Sequence, residues 1–193
     1  MHPPNNFNDV QIDRLLVTVN DDFYRLNDQN YLCSLYFDTS GKGRFDGKEQ
    51  SYGILYTGAD VYAAFIECFG REPQEERNIS EALVKSRNLF KISSSQPLIF
   101  ADITGEGLNI IGASLDSIYG KHIIARQWAE AIFLHPQQVD GIKYRSRLDP
   151  SKFNYGIFDR AKEYMSENNI GNLVDAHPNI LAEILDCYQY GLV

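Results

Sequence analysis

Glu67 is the residue whose surroundings point most directly to chemistry. It lies inside the run Val61 to Phe69, between Ile66 and Cys68, where apolar residues would satisfy a helix equally well. Two interpretations are open. Glu67 can point from the flank of the helix into solvent, as charged residues mostly do. Alternatively, it is a functional acid, because a carboxylate set in an apolar wall and paired with an arginine suits a site that stabilises developing charge.

Arg44 is the second candidate, and it lies in the glycine-rich segment Gly41 to Gly47. Glycine permits unusual backbone angles and lets a ligand approach the main chain closely. A planar guanidinium can bind two oxygens at once, so this position suits a diphosphate. The other interpretation is an arginine in a solvated turn. Because the segment matches neither the G-x-G-x-x-G dinucleotide pattern nor the Walker pattern, by itself it identifies no ligand.

Other residue types limit the chemistry. The three cysteines form no Cys-x-x-Cys pair and the four histidines show no ligand spacing, so we expect neither a disulfide framework nor a metal site. The formal net charge of −8 argues against direct nucleic-acid binding, which depends on clustered Lys and Arg. A small anionic ligand held by a few arginines is compatible with that charge.

The segments that would position these residues are short strands mixed with helices. An apolar helix over residues 59–69 carries Glu67 and stops at Gly70. Because the strands do not alternate regularly with helices, the pattern predicts an α+β domain with a mixed β core flanked by helices, rather than a doubly wound parallel sheet. Further helices are predicted over 82–90, 122–134 and 180–185, and strands over 24–26, 31–37, 52–57, 97–103, 141–146 and 155–158.

Four short motifs follow one another along the chain. They are Gly43-Arg44-Phe45-Asp46, Leu55-Tyr56-Thr57, Ala63-Ala64-Phe65-Ile66-Glu67, and the segment from Asp140 to Arg147 that contains Ser146. In this order they resemble the RES domain family, which is named for an arginine, a glutamate and a serine. Tyr24-Arg25 and Arg126-Gln127-Trp128 extend the similarity over about residues 24–160.

Two features of the chain depart from the family pattern. Asp46 stands where many members carry asparagine, and residues 48–51 lengthen the connection between Arg44 and Tyr56. Neither departure removes a residue to which the resemblance assigns a role.

The resemblance implies a fold similar to ADP-ribosyltransferases and an enzyme that consumes NAD⁺ as its substrate, without a metal. Arg44, Tyr56, Glu67 and Ser146 would be the catalytic residues. Arg25 and Arg44 would bind the diphosphate, and Tyr56 and Ser146 would also contact NAD⁺. Glu67 would act at the nicotinamide ribose, where bond cleavage builds positive charge that a carboxylate stabilises.

Relatives of this kind are mostly toxins of bacterial toxin–antitoxin pairs. We therefore expect an NAD⁺ glycohydrolase or phosphorylase restrained by a helix-turn-helix antitoxin. Two alternatives stay open. One is an ADP-ribosyltransferase that uses the same site on a macromolecular acceptor, and the other is a noncatalytic module that binds a nucleotide.

The expected organisation is an N-terminal segment over residues 1–22, a RES domain over 23–160, and a C-terminal helical extension over 161–193 packed on the same domain. The apolar runs are too short to cross a bilayer, and the polar start from Met1 to Asn8 matches no secretory signal. A cytoplasmic protein without membrane contact is therefore expected. The sequence leaves open whether copies of the chain form a homo-oligomer.

Overall fold

The structure is a computed structural model that describes residues 1–71 and 77–193. The strands are β1 Leu16–Val19, β2 Phe23–Asp28, β3 Ile54–Gly58, β4 Asn78–Ile79, β5 Arg87–Ser94, β6 Leu98–Asp102, β7 Gly141–Arg145, β8 Phe153–Phe158, β9 Met165–Asn172 and β10 Gly191–Leu192. The helices are α1 Val61–Phe69, α2 Glu81–Lys85, α3 Glu106–Ile110, α4 Leu115–Tyr119, α5 His122–Leu134, α6 Leu173–Ala176 and α7 Pro178–Tyr188. Short 3-10 helices cover Phe7–Asp9, Asp13–Leu15, Lys48–Gln50 and Asp159–Tyr164.

Eight of these strands form one sheet in the order β1-β6-β7-β8-β3-β2-β5-β9, and β10 pairs with β4 in a small second sheet. Within the large sheet β6 and β7 are parallel, and the other neighbours are antiparallel. The contact between β2 and β3 is much shorter than the others, because only Tyr24 and Gly58 lie opposite each other. The sheet therefore opens between β2 and β3.

Three clusters of buried side chains hold the helices against the sheet, and they centre on Trp128, Phe100 and Phe65. The third cluster joins α1 to β5 and α7. Phe65 is fully buried, and burying a side chain of this size contributes about 1.5–3 kcal/mol. Helix α1 is thus fixed on its apolar side, which also fixes the backbone that carries Glu67.

Helix α1 begins and ends close to where the sequence predicts. Asp60 caps its first turn, since the carboxylate accepts a hydrogen bond from the backbone N–H of Ala63 at 2.7 Å. Gly70 follows the last turn and donates its N–H to the carbonyl of Ile66. Gly58, just before the cap, allows β3 to pass close to the helix, because a Cβ there would lie 2.7 Å from the backbone nitrogen of Ala64.

Two predicted elements differ from the structure. The segment 31–37 is not a strand; Leu32 is 95% exposed, and only the adjacent Asp38 forms a bridge, with Ile54. Its aromatic residues favour a strand, but Tyr31 and Tyr36 are exposed, and Phe37 packs on the second core cluster without strand pairing. The predicted helix over 82–90 ends at Lys85, and β5 replaces its second half. Strand β5 is bonded on both edges, to β2 and β9, which outweighs the local preference for helix.

The C-terminal region adds a strand that the sequence analysis did not predict. Strand β9 pairs with β5 at the edge of the large sheet, and helix α7 then packs with α1 through Leu181 and Ile184. The segment 161–193 therefore contributes both a strand and helices to the fold. The architecture confirms the predicted α+β class.

Residues 1–71 and 77–193 contain no membrane-spanning helix and no group of metal ligands. No helix there is long and apolar enough to cross a membrane. No three His, Cys, Asp or Glu side chains in these ranges form a group that could hold a metal ion. Cys33, Cys68 and Cys187 are free thiols.

Candidate active site

A pocket of about 690 Å³ lies where the sheet opens between β2 and β3. Helix α1, the start of α5 and two loops complete its walls. Among the described residues its walls carry five cationic side chains (Arg25, Lys42, Arg44, Arg71 and Arg147) and two carboxylates (Asp38 and Glu67). The pocket is thus locally cationic in a chain whose formal net charge is −8. Its volume and charge suit an anionic ligand of nucleotide size.

Glu67 reaches this pocket from the apolar helix α1. Its Oε1 accepts hydrogen bonds from Ser146 Oγ at 2.8 Å and from Asn154 Nδ2 at 2.9 Å. Its Oε2 meets the exposed guanidinium of Arg71 at 3.5 Å. The carboxylate is therefore oriented through one oxygen, and its side chain is 29% exposed. Of the two interpretations of Glu67, the structure contradicts the one in which the side chain simply points into solvent.

Arg44 lies on the loop between β2 and β3 and lines the same pocket. Its Nη1 donates to the carbonyl oxygens of Ile118 and Gly120, at 3.0 and 3.1 Å, where α4 ends. These bonds fix the guanidinium without neutralising it, and among the described residues Arg44 has no ion pair within 4 Å. Burial, and then the nearby charge of Arg147, lower the pKa of Arg44 from its ordinary value. An arginine stays charged under such shifts, so the pocket holds an uncompensated cation.

Tyr56 lies on β3, and its ring lines the pocket while its hydroxyl holds the Arg44 loop. The hydroxyl donates to Asp46 Oδ1 at 2.8 Å and accepts from the backbone N–H of Phe45 at 2.9 Å. Asp46 also accepts from the N–H of Gly43 at 2.7 Å and is fully buried. Burial, and then the charge of Asp46, raise the pKa of Tyr56, which keeps the phenol protonated as a donor.

Gly43 is needed at this point of the loop because the surrounding side chains leave no room. A Cβ on Gly43 would collide with the Asp46 carboxylate and lie 2.7 Å from the Tyr56 hydroxyl. The carbonyl of Gly43 in turn accepts from Arg126 Nε at 2.9 Å. Tyr56, Asp46 and Arg126 therefore act together to shape the loop that carries Arg44.

The two other predicted site residues have less direct access to the pocket. Arg25 lines it from β2, but its Nη1 donates to the carbonyls of Ser34 and Tyr36 at 3.3 and 3.4 Å. Ser146 is 2% exposed and does not line the pocket. Its hydroxyl donates to Glu67 and accepts from the backbone N–H groups of Leu148 and Asp149. The structure thus brings Ser146 to Glu67 rather than to the pocket itself.

Several pocket residues were missed by the sequence analysis. Asn154 lies on β8 and donates a hydrogen bond to Glu67. The sequence marks it only as a single amide between Phe153 and the apolar run Tyr155 to Phe158. Arg147, next to the predicted serine, adds a second cation near Arg44. Three further pocket residues gave no spacing signal, because α4, α5 and β7 bring them together from distant parts of the chain; they are Tyr119, His122 and Tyr144.

His122 shows the electrostatic character of this side of the pocket. Burial, and then the positive charge of Arg44, lower its pKa from the ordinary value of 6.5. Arg126 and Arg147 act in the same direction. The imidazole is therefore neutral at physiological pH, and the arginines carry the positive charge.

Comparison with known proteins identifies the family of the chain. The sequence model of the RES domain matches residues 22–177. The chain belongs to the RES domain family. The order of motifs from Gly43 to Arg147 therefore identified the family correctly, and the matched residues include the whole pocket.

Two individual relatives extend the comparison of this RES domain. "Probable toxin y4kH" of Sinorhizobium fredii is 32% identical over 103 residues, which are 53% of this chain and 80% of that protein. The crystal structure of the M. tuberculosis MbcT-MbcA toxin-antitoxin complex contains a chain that matches with a TM-score of 0.65 at 14% identity. That match covers 94% of this chain and 97% of the other. At this identity the structural match establishes a shared fold.

Proposed function

We propose that this RES domain cleaves the bond between nicotinamide and ribose in NAD⁺. The observation that carries the proposal is the pairing, in one nucleotide-sized pocket, of an oriented carboxylate with a group of fixed cations. NAD⁺ matches both features. Its diphosphate requires cationic donors, and its scissile bond requires an anion near the sugar.

Glu67 would stabilise the transition state of this reaction. The bond between C1′ and the nicotinamide nitrogen breaks with its electron pair leaving on nicotinamide, which departs neutral. Positive charge builds on the ribose, as in glycoside cleavage, and a preoriented carboxylate lowers the energy of that state. Nicotinamide needs no proton to leave, so one carboxylate is sufficient. Water would then add at C1′ and release a proton to solvent, or inorganic phosphate would add there in its place.

Arg44 and Arg147 would bind the diphosphate at the other side of the pocket. Arg44 is held by backbone carbonyls, so its charge is available to a ligand at little cost in side-chain entropy. Arg25 would contribute from β2, and the rings of Tyr56 and Tyr144 would pack on the nucleoside ends.

The comparisons support a role as a toxin of a toxin–antitoxin pair. The curated relative is named a probable toxin, and the solved neighbour is a toxin–antitoxin complex. We therefore propose that a cognate antitoxin, with a helix-turn-helix domain, binds this chain in the cytoplasm. Coexpression of candidate neighbouring reading frames with this chain, followed by measurement of cellular NAD⁺, tests that partner.

Nicotinamide release from NAD⁺ by the purified protein tests the reaction. Glu67→Gln should lower kcat by at least about 100-fold, as loss of a group that stabilises transition-state charge does. Arg44→Ala should chiefly raise KM, by roughly 10-fold or more, since it removes charged hydrogen bonds to the substrate. Exposed Glu163→Gln and Arg14→Ala are matched controls that should retain wild-type values.

Product analysis completes this experiment. NAD⁺ labelled in its adenylate part should yield free ADP-ribose in water, or its phosphate ester when inorganic phosphate is present. Label on a protein or nucleic acid would identify ADP-ribosyl transfer instead. Wild-type kcat in a folded Glu67→Gln protein, or NAD⁺ binding by calorimetry without any cleavage, would contradict the proposal.

A further inference from the structure

The hydrogen bonds of Asn154 are not explained by a contribution to the stability of the fold. It lies on β8, opposite Gly58 of β3 and Tyr144 of β7, and is 1% exposed. Its Nδ2 donates to Glu67 Oε1, while its Oδ1 is buried without a hydrogen-bond partner among the described residues. A buried acceptor without a partner costs free energy. An apolar side chain of similar shape would avoid this cost, so the amide contributes through its bond to Glu67.

The same oxygen of Glu67 receives a second donor from a different part of the chain. Ser146 follows β7, and its hydroxyl is itself held by two backbone N–H groups of the next turn. Two fixed donors on Oε1 define the plane of the carboxylate and occupy the lone pairs of that oxygen. Oε2, whose neighbour is the exposed Arg71, is left as the oxygen that can face a substrate.

We infer that Asn154 is a positioning residue, which with Ser146 clamps one oxygen of Glu67 so that the other faces the ribose. This inference rests on the proposed function and gives the two carboxylate oxygens different roles: the protein holds Oε1, and Oε2 faces the substrate. Asn154 lies on β8, Ser146 directly follows β7, and Glu67 lies on α1, so the clamp also fixes the helix relative to the sheet at the pocket.

The test compares kcat, KM and ligand affinity in Asn154 variants of the full chain. Asn154→Ala removes the donor. Asn154→Asp keeps the shape but replaces the donor with an acceptor beside Glu67. Both should lower kcat by roughly 10- to 100-fold, which is the contribution of a hydrogen bond to a charged group. KM for NAD⁺ and the Kd for ADP-ribose should stay within about 3-fold, because the arginines are unchanged.

Asn168→Ala is the matched control, because Asn168 is an exposed asparagine on β9. It should leave kcat unchanged. If the role of Asn154 were merely structural, Asn154→Asp would retain wild-type kcat, or kcat, KM and the unfolding midpoint would all change together. Either result overturns the inference.

A crystal structure of Asn154→Ala separates this inference from the proposed function. We expect the Glu67 carboxylate to rotate away from the position that it takes in a crystal structure of the wild-type protein, which is determined for comparison. An unchanged carboxylate overturns the clamp, whatever the activity. If the wild-type protein releases no nicotinamide, the proposed function fails, and the position of the carboxylate still decides whether Asn154 orients it.

Discussion

At the scale of single residues, most polar atoms of the predicted site are engaged by the protein itself. The Tyr56 hydroxyl bonds Asp46 and the Phe45 N–H, and the Ser146 hydroxyl bonds Glu67. The groups that can still interact with a ligand are charged: they are Oε2 of Glu67 and the guanidinium of Arg44. The hydroxyl groups of Tyr56 and Ser146 are therefore better described as supports for two charges than as hydrogen-bonding contacts to a ligand.

Tyr56→Phe tests this view of the Arg44 loop. The variant leaves the Phe45 N–H without its acceptor and one oxygen of buried Asp46 without its donor, so we expect a loss of about 1–3 kcal/mol in the free energy of unfolding. The loosened loop should also raise KM for NAD⁺. Urea titration measures the first effect, with exposed Tyr164→Phe as control. An unchanged stability would show that the hydroxyl does not hold the loop.

The sequence made part of this site predictable. Glu67 was identifiable because a charge interrupts an apolar helix, and Arg44 and Ser146 because they stand in ordered motifs of the RES family. The contact of Asn154 with Glu67 was not predictable, since it depends on the register that sets β8 beside β3. Spacing along the chain carries no information about such pairs, which are 87 residues apart.

At the scale of elements, the start of α1 controls where the carboxylate of Glu67 lies. Asp60 has two contacts there: its Oδ1 accepts from the Ala63 N–H, and its Oδ2 pairs with Lys152 Nζ at 2.8 Å. The cap should be the larger contribution. Loss of a cap costs about 0.5–2 kcal/mol, whereas an exposed ion pair contributes about 0–1 kcal/mol. The Asp60 side chain is 44% exposed, so solvent screens the pair.

Asp60→Ala and Asp60→Asn distinguish the two contacts. Asparagine keeps the capping acceptor and loses the charge, so it should retain most of the stability, while alanine should lose about 1 kcal/mol. Urea unfolding at low and high salt measures both variants. If Asp60→Asn lowers the free energy of unfolding as much as Asp60→Ala does, and if high salt abolishes this difference from wild type, the ion pair is the larger contribution.

Elements differed in how far the sequence could predict them. Helices α1 and α5 were predictable because their apolar residues recur on one face over nine and 13 residues. Strand β9 was not, because its sequence Met165 to Asn172 is largely polar and shows no regular alternation of buried and exposed residues. It is an edge strand that pairs through its backbone with β5, and backbone pairing leaves little trace in side-chain pattern. The segment 31–37 shows the opposite case. Its aromatic residues predicted a strand, but no neighbouring strand of the described residues pairs with it.

At the scale of the whole molecule, the pocket exists because the eight-stranded sheet is nearly divided between β2 and β3. Each half brings one part of the site: β3, β7 and β8 surround Glu67, and β2 brings Arg25. The C-terminal helix α7 braces the first part. Its Tyr188 hydroxyl donates to Asp149 Oδ2 at 2.8 Å, and the Asp149 N–H bonds Ser146 Oγ. A residue distant in sequence thereby supports the clamp on Glu67.

Tyr188→Phe tests this long-range support through its pH dependence. Burial opposes ionisation of Asp149, but hydrogen bonds from Ser151 and Tyr188 outweigh it and hold the pKa of Asp149 below the ordinary 3.8. A carboxyl whose pKa is lowered in the folded state stabilises the fold above the unfolded pKa and loses that contribution as the pH falls through the folded pKa. The stability gap between wild type and Tyr188→Phe should therefore be about 1 kcal/mol at pH 7 and narrow below pH 3.8.

Urea titrations of both proteins from pH 7 down to pH 3 measure this gap, and Tyr164→Phe again serves as an exposed control. Nicotinamide release at pH 7 should fall modestly in Tyr188→Phe, because the turn that holds Ser146 becomes more mobile. Because Tyr188→Phe keeps the ring, equal stability of the two proteins at every pH would mean that Tyr188 stabilises the fold through its ring alone. In that case α7 supports the core around Phe65 and not the carboxylate of Glu67.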